Sequence, residues 1–335
     1  MATPACVTFT DVAQMTHNGN IIEMAHEFEK HTSLFNSLPW KQSSDALHDV
    51  TGVVEEIPGG TWVGLDKGVK ANKGRWGQRE ENIALLESWS VTNEKTYKIA
   101  PNGDAARWEN DRLHIQGMAL EAEEKLLYGN PQADINQPLG FMPRMNAVTD
   151  MYGMKSGAKM PYICLTAGGS TANKESSILL IAKGPMSPHL LYPRYKANNG
   201  IEFNAFPFEN SLDSEGGNIR VAKSQFIISF GLSIAHRQTV VRIANVDTSS
   251  STSIGNISDA IYEAFAAIPR EYRASVDIWT SPKVILEMRK AYANRVNAIP
   301  SYDNAIYKNA IGDVMFDNFV IKSCDSMVDT EAVVS

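Results

Sequence analysis

The residues best suited to metal chemistry are histidines, but their spacing argues against a metal site. His26 and His31 form the closest pair, five residues apart in the text HEFEKH. Two metal ligands on one helix face instead lie about one turn apart, typically as H-x-x-x-H. We therefore interpret both histidines as solvated side chains on a short helix.

Glutamates recur within one long helical segment and could suggest a pair of catalytic carboxylates. Glu121, Glu123 and Glu124 lie within four consecutive positions. General acid–base catalysis needs two carboxyl groups whose environments differ. These three are instead predicted to share the solvated face of a helix, which is the commoner role of such a run.

Glycine pairs and cysteines provide no further site. Gly168-Gly169-Ser170 and Gly216-Gly217 do not continue into a phosphate-binding motif and predict turns, and no G-x-S-x-G elbow is present. Cys6, Cys164 and Cys324 lack the paired spacing of a disulfide framework or zinc site, so we expect small buried apolar side chains. The sequence therefore predicts no catalytic residue, no cofactor-binding residue, no metal site and no cofactor. The protein is not expected to be an enzyme.

Composition bounds the class of protein. Of 335 residues, 43% are hydrophobic and 21% are charged, which is ordinary for a globular chain. No apolar run approaches the ~18 residues of a membrane span, and the first residues lack the pattern of a signal peptide, so we expect no membrane contact and assembly in the cytoplasm. A net charge of −7 argues against specific nucleic-acid binding, leaving only non-specific contact with DNA.

The N-terminal part predicts one short amphipathic helix. In residues 19–30, Ile21, Met24, Ala25 and Phe28 recur at helical spacing. The flanking stretches are polar and aperiodic. Such an arm has little core of its own, so we expect it to rest on another surface.

A glycine-rich stretch from 51 to 79 predicts a long hairpin with a basic tip. A disordered loop remains the alternative on composition. The apolar residues in it favour a partner surface, because exposed apolar side chains in a loop usually meet one. The basic residues are Lys67, Lys70, Lys73, Arg75 and Arg79, and the apolar ones are Trp62, Val63, Leu65 and Trp76.

The clearest helix is predicted from Asp104, as N-cap, to Tyr128, before Gly129. Its apolar stripe indicates a spine that lies across a sheet. The stripe consists of Ala105, Trp108, Ile115, Ala119, Ala122 and Leu126, widened by Ala106, Leu113, Leu120 and Leu127.

Strands dominate the rest of the chain. The absence of a strict strand–helix–strand rhythm predicts an α+β fold. The predicted strands are 177–183, 225–235, 239–247, 276–279 and 314–323, and the predicted helices are 259–268, behind Ser258, and 282–294, capped by Thr280 or Ser281.

Four segments in order resemble one protein family. They are ALLESWSVTNEKTYKIAPNG (84–103), LLYGNPQADINQPLGFMPRMN (126–146), FGLSIAHRQTVVRIANVD (230–247) and DIWTSPKVILEMRKAY (277–292). In the same order, they are similar to the family's strand that leads into the spine helix, to the end of that helix, to a strand pair of the apical domain, and to a strand-to-helix step late in that domain. The family is that of the major capsid proteins of short-tailed bacteriophages related to epsilon-fifteen, which have the Hong Kong 97 capsid fold.

The resemblance implies four parts. They are an N-terminal arm at 1–50, an extended β-hairpin loop at 51–90, a peripheral domain with the spine helix at 91–150, completed by about 311–335, and an apical domain at 151–310.

The resemblance also implies a structural function. The chain would assemble with itself, as hexamers and pentamers, into the icosahedral capsid of a virion that encloses double-stranded DNA, and it would do so in the host bacterial cytoplasm. Other expected partners are a separate scaffolding protein, since no scaffold-like extension precedes the arm, and the portal. A cementing or decoration protein is left open. No motif assigns an asparagine partner to Lys67, Lys70 or Lys73, so no intersubunit cross-link is expected.

Two alternatives stay open at this stage. An encapsulin, a cellular shell with the same fold, would differ by a cargo-binding groove that one sequence does not reveal. A carbohydrate-active enzyme is the other, because Trp40, Trp62, Trp76 and Trp89 could line a glycan groove. It lacks the paired carboxylates that glycoside hydrolysis requires.

Overall fold

The fold was analysed in a computed structural model. The residues that the structure describes are 14, 19–149, 162–171, 173–184, 186–194, 200–249, 255–296, 314–316 and 319–335. The predicted buried Cys6 and most of the polar stretch 8–17 lie outside them.

Helices and strands alternate irregularly along the described chain, which confirms the predicted α+β class. The helices are α1 (Gly19–Lys30), α2 (Leu34–Ser37), α3 (Glu94–Ile99), α4 (Gly103–Tyr128), α5 (Phe141–Arg144), α6 (Gly255–Ala267) and α7 (Pro282–Val296). The strands are β1 (Trp40–Gln42), β2 (His48–Glu56), β3 (Arg75–Asn82), β4 (Ala84–Asn93), β5 (Ile163–Thr166), β6 (Glu175–Ala182), β7 (Pro188–Tyr192), β8 (Ile201–Ala205), β9 (Glu209–Leu212), β10 (Asn218–Ile234), β11 (Val240–Asp247), β12 (Val276–Thr280), β13 (Val314–Phe316) and β14 (Phe319–Ser323).

The chain divides into two compact units. The first unit comprises Met1–Asp49, Glu81–Gly140 and His189–Leu232, and the second comprises Val50–Glu80, Phe141–Pro188 and Ser233–Ser335. Each unit is thus built from three separate stretches of chain. The four-part division into arm, loop, peripheral and apical domains stays a prediction.

The sheet of the first unit has the order β1-β7-β10-β4, with β8 and β9 also paired to β10. Strand β4 is antiparallel to β10 from Asn93↔Val221 to Ala84↔Phe230. Along β4 the odd-numbered residues 85 to 91 are exposed, whereas the residues between them are partly or fully buried. This period of two shows that β4 turns one face toward protein and one face toward solvent.

Helix α4, the spine helix, lies on the inner face of β4, as predicted. Asn110 Nδ2 donates to Ser90 Oγ at 2.8 Å, and Ser88 Oγ lies 3.0 Å from His114 Nδ1. The helix begins two residues earlier than expected, because the Asn102 side chain, not that of Asp104, accepts the amide of the third helical residue.

The apolar stripe of the spine helix is narrower than predicted. Ile115, Ala119 and Leu126 are buried, but Leu113 and Leu120 are largely exposed. Positions 113 and 120 are two helical turns apart and lie on the face opposite Ile115. The packed surface covers one side of the helix only, so these two leucines stay outside it.

The sheet of the second unit has the order β13-β14-β12-β6-β11-β5. Every residue of β6 is buried, because β6 is central and is flanked by β12 and β11. One core cluster joins apolar residues of β5, β6 and β11 to Ile257, Ile261 and Ala264 of α6 and to Val284 of α7. The continuous apolar run in β6 is the pattern of a strand covered on both faces.

Several predicted boundaries in the second half need correction. Segment 230–247 does not form a strand pair, because β10 and β11 belong to different sheets and pair with different strands. Segment 314–323 contains two paired strands, β13 and β14, rather than one. Ser258 lies inside α6, which begins at Gly255, whereas Ser281 caps α7 by accepting the amide of Val284 at 3.3 Å.

Candidate assembly surfaces

The most exposed apolar side chains lie between β2 and β3, which pair as a two-stranded sheet. Residues 57–74 between these strands, called here the connecting loop, contain no regular secondary structure. Trp62 and Leu65 are fully exposed in it, and Val69 is more than half exposed. Large apolar side chains that are open to water over a short loop mark a contact surface for another molecule.

The connecting loop also carries positive charge. Lys67, Lys70 and Lys73 are all exposed, and Asp66 is the single acidic residue between 57 and 74. At the base of the loop, Arg75 Nε lies 2.8 Å from Glu55 Oε2. The charge of Arg75 at the base of the loop is therefore balanced by Glu55 of the same chain, whereas the rest of the loop presents a basic and apolar surface.

Helix α1 packs on the spine helix within the same chain. Its predicted apolar face, formed by Ile21, Met24, Ala25 and Phe28, is completely buried. The arm helix therefore rests on another surface, as expected, and that surface belongs to its own subunit. Phe35, in α2, continues the contact by packing edge-on against Phe28 with ring centroids 5.1 Å apart.

A carboxylate holds α1 and the spine helix together. Glu27 Oε2 accepts from Lys30 Nζ at 2.6 Å, and Oε1 accepts from Arg112 Nη2 at 3.1 Å. The Lys30 hydrogen bond, followed by the Arg112 contacts, lowers the pKa of Glu27 from 4.5 to about 2 against the opposing effect of burial.

The two histidines of this region lie beside glutamates of the same helix. His31 Nε2 is 3.5 Å from Glu27 Oε1, and His26 Nδ1 is 4.0 Å from Glu29 Oε2. His31 is partly buried and His26 is exposed, so only His26 fits the predicted solvated position. Within the described residues, no three His, Cys, Asp or Glu side chains gather as metal ligands would.

Glu123 corrects the prediction that three glutamates share a solvated face. Glu121 and Glu124 are exposed, but Glu123 is 1% exposed. Its Oε1 accepts the backbone amides of Ser33 and Leu34, each at 2.7 Å. The carboxylate thus satisfies amide groups where the chain enters α2.

The spacing of Glu123 was a signal that sequence reasoning missed. Ile115, Ala119 and Glu123 follow one another at intervals of four residues, so they lie along one row of the helix. A glutamate in line with two buried residues is itself expected to be buried and to have partners.

A buried charge pair lies in the second unit, and no local sequence pattern predicted it. Arg242 Nη2 is 2.8 Å from Glu331 Oε2, and Arg242 Nη1 donates to the carbonyl of Met145 at 2.8 Å. Ser177 Oγ donates to the same Glu331 oxygen at 2.5 Å. Arg242 and Glu331 are 5% and 8% exposed, so this network links the end of the chain to β6 and β11 in low-dielectric surroundings.

The cysteines and the glycine pairs, which are the remaining candidate residues, contribute to the fold rather than to a reactive site. Cys164 and Cys324 are completely buried free thiols, as predicted, and burial raises the pKa of the Cys164 thiol. Gly216, with φ of +84°, lies at the turn that follows β9, as predicted, whereas Gly168, with φ of +87°, lies in the irregular segment 167–170, which contains no turn. A buried thiol with a raised pKa is a poor nucleophile.

The four tryptophans of the predicted glycan groove have different surroundings. Trp40 is buried against Phe35, with ring centroids 5.4 Å apart, so it cannot line an open groove. Trp89 is partly exposed and stacks on Phe206 at 5.6 Å. Trp62 and Trp76 are the most exposed of the four. The burial of Trp40 removes the proposed four-residue glycan groove.

Two shallow cavities follow the seam between the spine helix and β4 in the first unit. The larger has a volume of about 380 Å³ and includes Leu113, His114 and Gly117 in its wall. The smaller, about 190 Å³, shares Leu86 and Glu121 with it. Leu113, one of the two exposed leucines of the spine helix, therefore lies in an open groove whose wall is both apolar and acidic.

No helix among the described residues is long and apolar enough to cross a membrane.

Comparison with known proteins is consistent with this architecture. Residues 16–335 match the sequence model of the family "Major capsid protein GP7". A chain in the structure of Bacteriophage Epsilon15 is 19% identical, with a TM-score of 0.62, over 88% of this chain and 87% of that chain. A chain of the Bacteriophage JBD30 capsid is 8% identical, with a TM-score of 0.49, over 88% and 91% of the two chains.

An encapsulin structure also matches part of the chain. The SrpI encapsulin of Synechococcus elongatus PCC 7942 is 12% identical, with a TM-score of 0.39, over 64% of this chain and 86% of that chain. No curated protein matches the sequence.

The fold and the family match together define the class, a structural, non-enzymatic capsid subunit with the Hong Kong 97 type of fold. The chain belongs to the major capsid protein GP7 family, and it is the major capsid protein of a tailed bacteriophage. The encapsulin and carbohydrate-active alternatives are set aside by this match, which covers nearly the whole chain.

Proposed function

We propose that this subunit forms hexamers and pentamers of an icosahedral shell around double-stranded DNA, and that its connecting loop contacts a neighbouring subunit. The observation that carries the proposal is the full exposure of Trp62 and Leu65 in a loop that lacks regular structure. Burying two such side chains against a neighbour removes apolar surface from water, which is the main driving force of association.

The charges of the chain support the proposed contacts. The loop tip is basic, whereas the groove along the spine helix includes the exposed Glu87 and Glu121. Complementary charges orient copies of the chain as they meet. The net charge of −7 supports a shell that encloses DNA with non-specific contact only, because a strong basic excess would bind phosphate tightly.

The other parts of the proposal rest on the resemblance to capsid proteins. They are the division into arm, extended loop, peripheral domain and apical domain, assembly in the host cytoplasm, a separate scaffolding protein and the portal. The absence of catalytic, cofactor and metal sites is proposed on the same basis.

The test replaces Trp62 and Leu65 together with alanine. Both side chains are fully exposed within the subunit, so subunit folding should be unchanged, while the yield of shells should fall by about tenfold or more as the association free energy weakens. Soluble yield and circular dichroism measure folding, and sedimentation measures shells.

The matched control is Leu212→Ala, which removes another exposed leucine, in β9. It should leave the shell yield unchanged. Normal shell yield from the Trp62/Leu65 double variant would contradict the assigned role of the loop.

A further inference from the structure

A buried carboxyl group at one end of β6 has no cationic partner among the residues that the structure describes. Glu175 is 0% exposed. Its Oε1 accepts the backbone amide of Thr171 at 2.7 Å, while Oε2 has no hydrogen-bond partner among the described residues. Leaving a buried ionised oxygen unsatisfied is costly, so this site favours the neutral acid.

The neighbouring charges add to this preference. Asp247 lies directly opposite Glu175 in the antiparallel register of β6 and β11. On the other side, Glu331 forms a backbone bridge to Glu175, and its side chain is bound by Arg242 and Ser177. Residues 167–171 contain no charged side chain, and Lys174, the preceding residue, is exposed. In the described part of the chain, the charged groups that face Glu175 are therefore acidic, or are already paired with another acid.

Residues 167–171, called here the cover loop, are closed tightly over the carboxyl group. Gly169 N donates to the carbonyl of Asn245 at 2.9 Å, and Ala167 N donates to that of Ala244 at 2.9 Å. A Cβ atom on Gly169 would collide with Glu175 Oε2 and would lie 2.6 Å from the Asn245 carbonyl oxygen. The cover loop therefore leaves no space for an added atom between Gly169 and Oε2.

We propose that Glu175 is a proton-operated latch, whose protonation holds the cover loop closed and whose ionisation loosens it. In the neutral acid, Oε1 keeps the Thr171 amide and the second oxygen carries the proton. In the ionised form, the carboxylate needs solvent, which it reaches only when the cover loop lifts from β11. The same residue accepts the Glu331 amide at 2.9 Å through its carbonyl, so the opening extends to the C-terminal segment.

The direction in which pH changes the stability of the closed cover loop follows from the difference in the pKa of Glu175 between the closed and open states. Burial, followed by the Asp247 charge, raises the pKa of Glu175, although the Thr171 amide opposes this. A carboxyl group with a raised pKa in the closed state stabilises that state fully below its usual pKa. The stabilisation is lost as the pH rises through the raised value. The cover loop is thus more stable in mild acid than at neutral pH.

The test measures hydrogen exchange of the cover loop in the full-length protein at about pH 5 and about pH 7.5, normalised to the intrinsic rates of the free peptide. Protection of the Ala167, Gly169 and Thr171 amides should fall about threefold or more between these pH values. In Glu175→Gln, which keeps the shape and the acceptor oxygen, protection should be high at both.

Two further variants complete the test. Asp247→Asn should reduce the pH dependence without abolishing it, and it reports on the latch if the glutamine variant fails to fold. Asp325→Asn removes an exposed carboxylate of the same unit and should leave the wild-type profile unchanged. Wild-type protection that does not change with pH, or a pH dependence that persists in Glu175→Gln, would overturn the proposal.

Discussion

Glu27 in the first unit and Glu175 in the second are both shielded from solvent, at 5% and 0% exposure, yet their pKa values move in opposite directions. Glu27 has Lys30 and Arg112 within hydrogen-bonding distance, at 2.6 and 3.1 Å. Glu175 has one backbone amide and an aspartate across the sheet.

The comparison shows that burial alone does not decide whether a carboxyl group is ionised or neutral. Burial disfavours the ionised form at both sites, but two cations outweigh it at Glu27, whereas the single Thr171 amide does not outweigh it at Glu175. The partners that the tertiary structure brings to each glutamate therefore decide which protonation state is favoured, and this cannot be seen from the glutamates in the sequence.

The largest expected effect comes from removing the partner of Glu331. Arg242→Met leaves a buried carboxylate without its cation and should lower the free energy of unfolding of the second unit by about 3–5 kcal/mol. Urea titration followed by tryptophan fluorescence, to which the buried Trp279 of the same unit contributes, measures this loss.

The matched control removes both charges. In Arg242→Met/Glu331→Met the two buried groups are apolar, so most of the lost stability should return. A single variant that is as stable as wild type would show that Glu331 does not depend on Arg242.

A smaller effect is expected where the start of α2 contacts the spine helix. Glu123→Ala removes the acceptor of the Ser33 and Leu34 amides and should cost about 1–3 kcal/mol, measured as faster hydrogen exchange of both amides.

Glu121→Ala is the control on the same helix. It removes an exposed ion pair of 3.4 Å with Lys125 and should cost less than about 0.5 kcal/mol. Equal exchange in the two variants would contradict the role assigned to Glu123.

The smallest effect concerns the pH dependence of Glu27. Because its pKa is lowered from 4.5 to about 2, its contribution to stability is complete above 4.5 and is lost as the pH falls toward 2. The stability difference between wild type and Glu27→Gln should therefore shrink between about pH 5 and about pH 3. A difference that is constant with pH would mean that Lys30 and Arg112 do not favour the ionised form.

Sequence patterns predicted the regular elements well where one face is buried continuously. The spine helix, α1 and the step from β12 into α7 follow from apolar spacing and from capping residues such as Ser281. The boundaries were less accurate, as the two-residue difference at Asn102 shows, because two neighbouring polar residues could each cap the same helix.

The sequence by itself determined the α+β class, the long spine helix, the burial of Cys164 and Cys324 and the basic, apolar loop, because these depend on local composition and periodicity. The tertiary structure decided which carboxylates are buried and which are paired. Ser33 reaches Glu123 from 90 positions away, and Arg242 reaches Glu331 from 89. It also decided that β10 and β11 enter different sheets. Such partners are separated along the chain and meet only when it folds, so no local pattern specifies them.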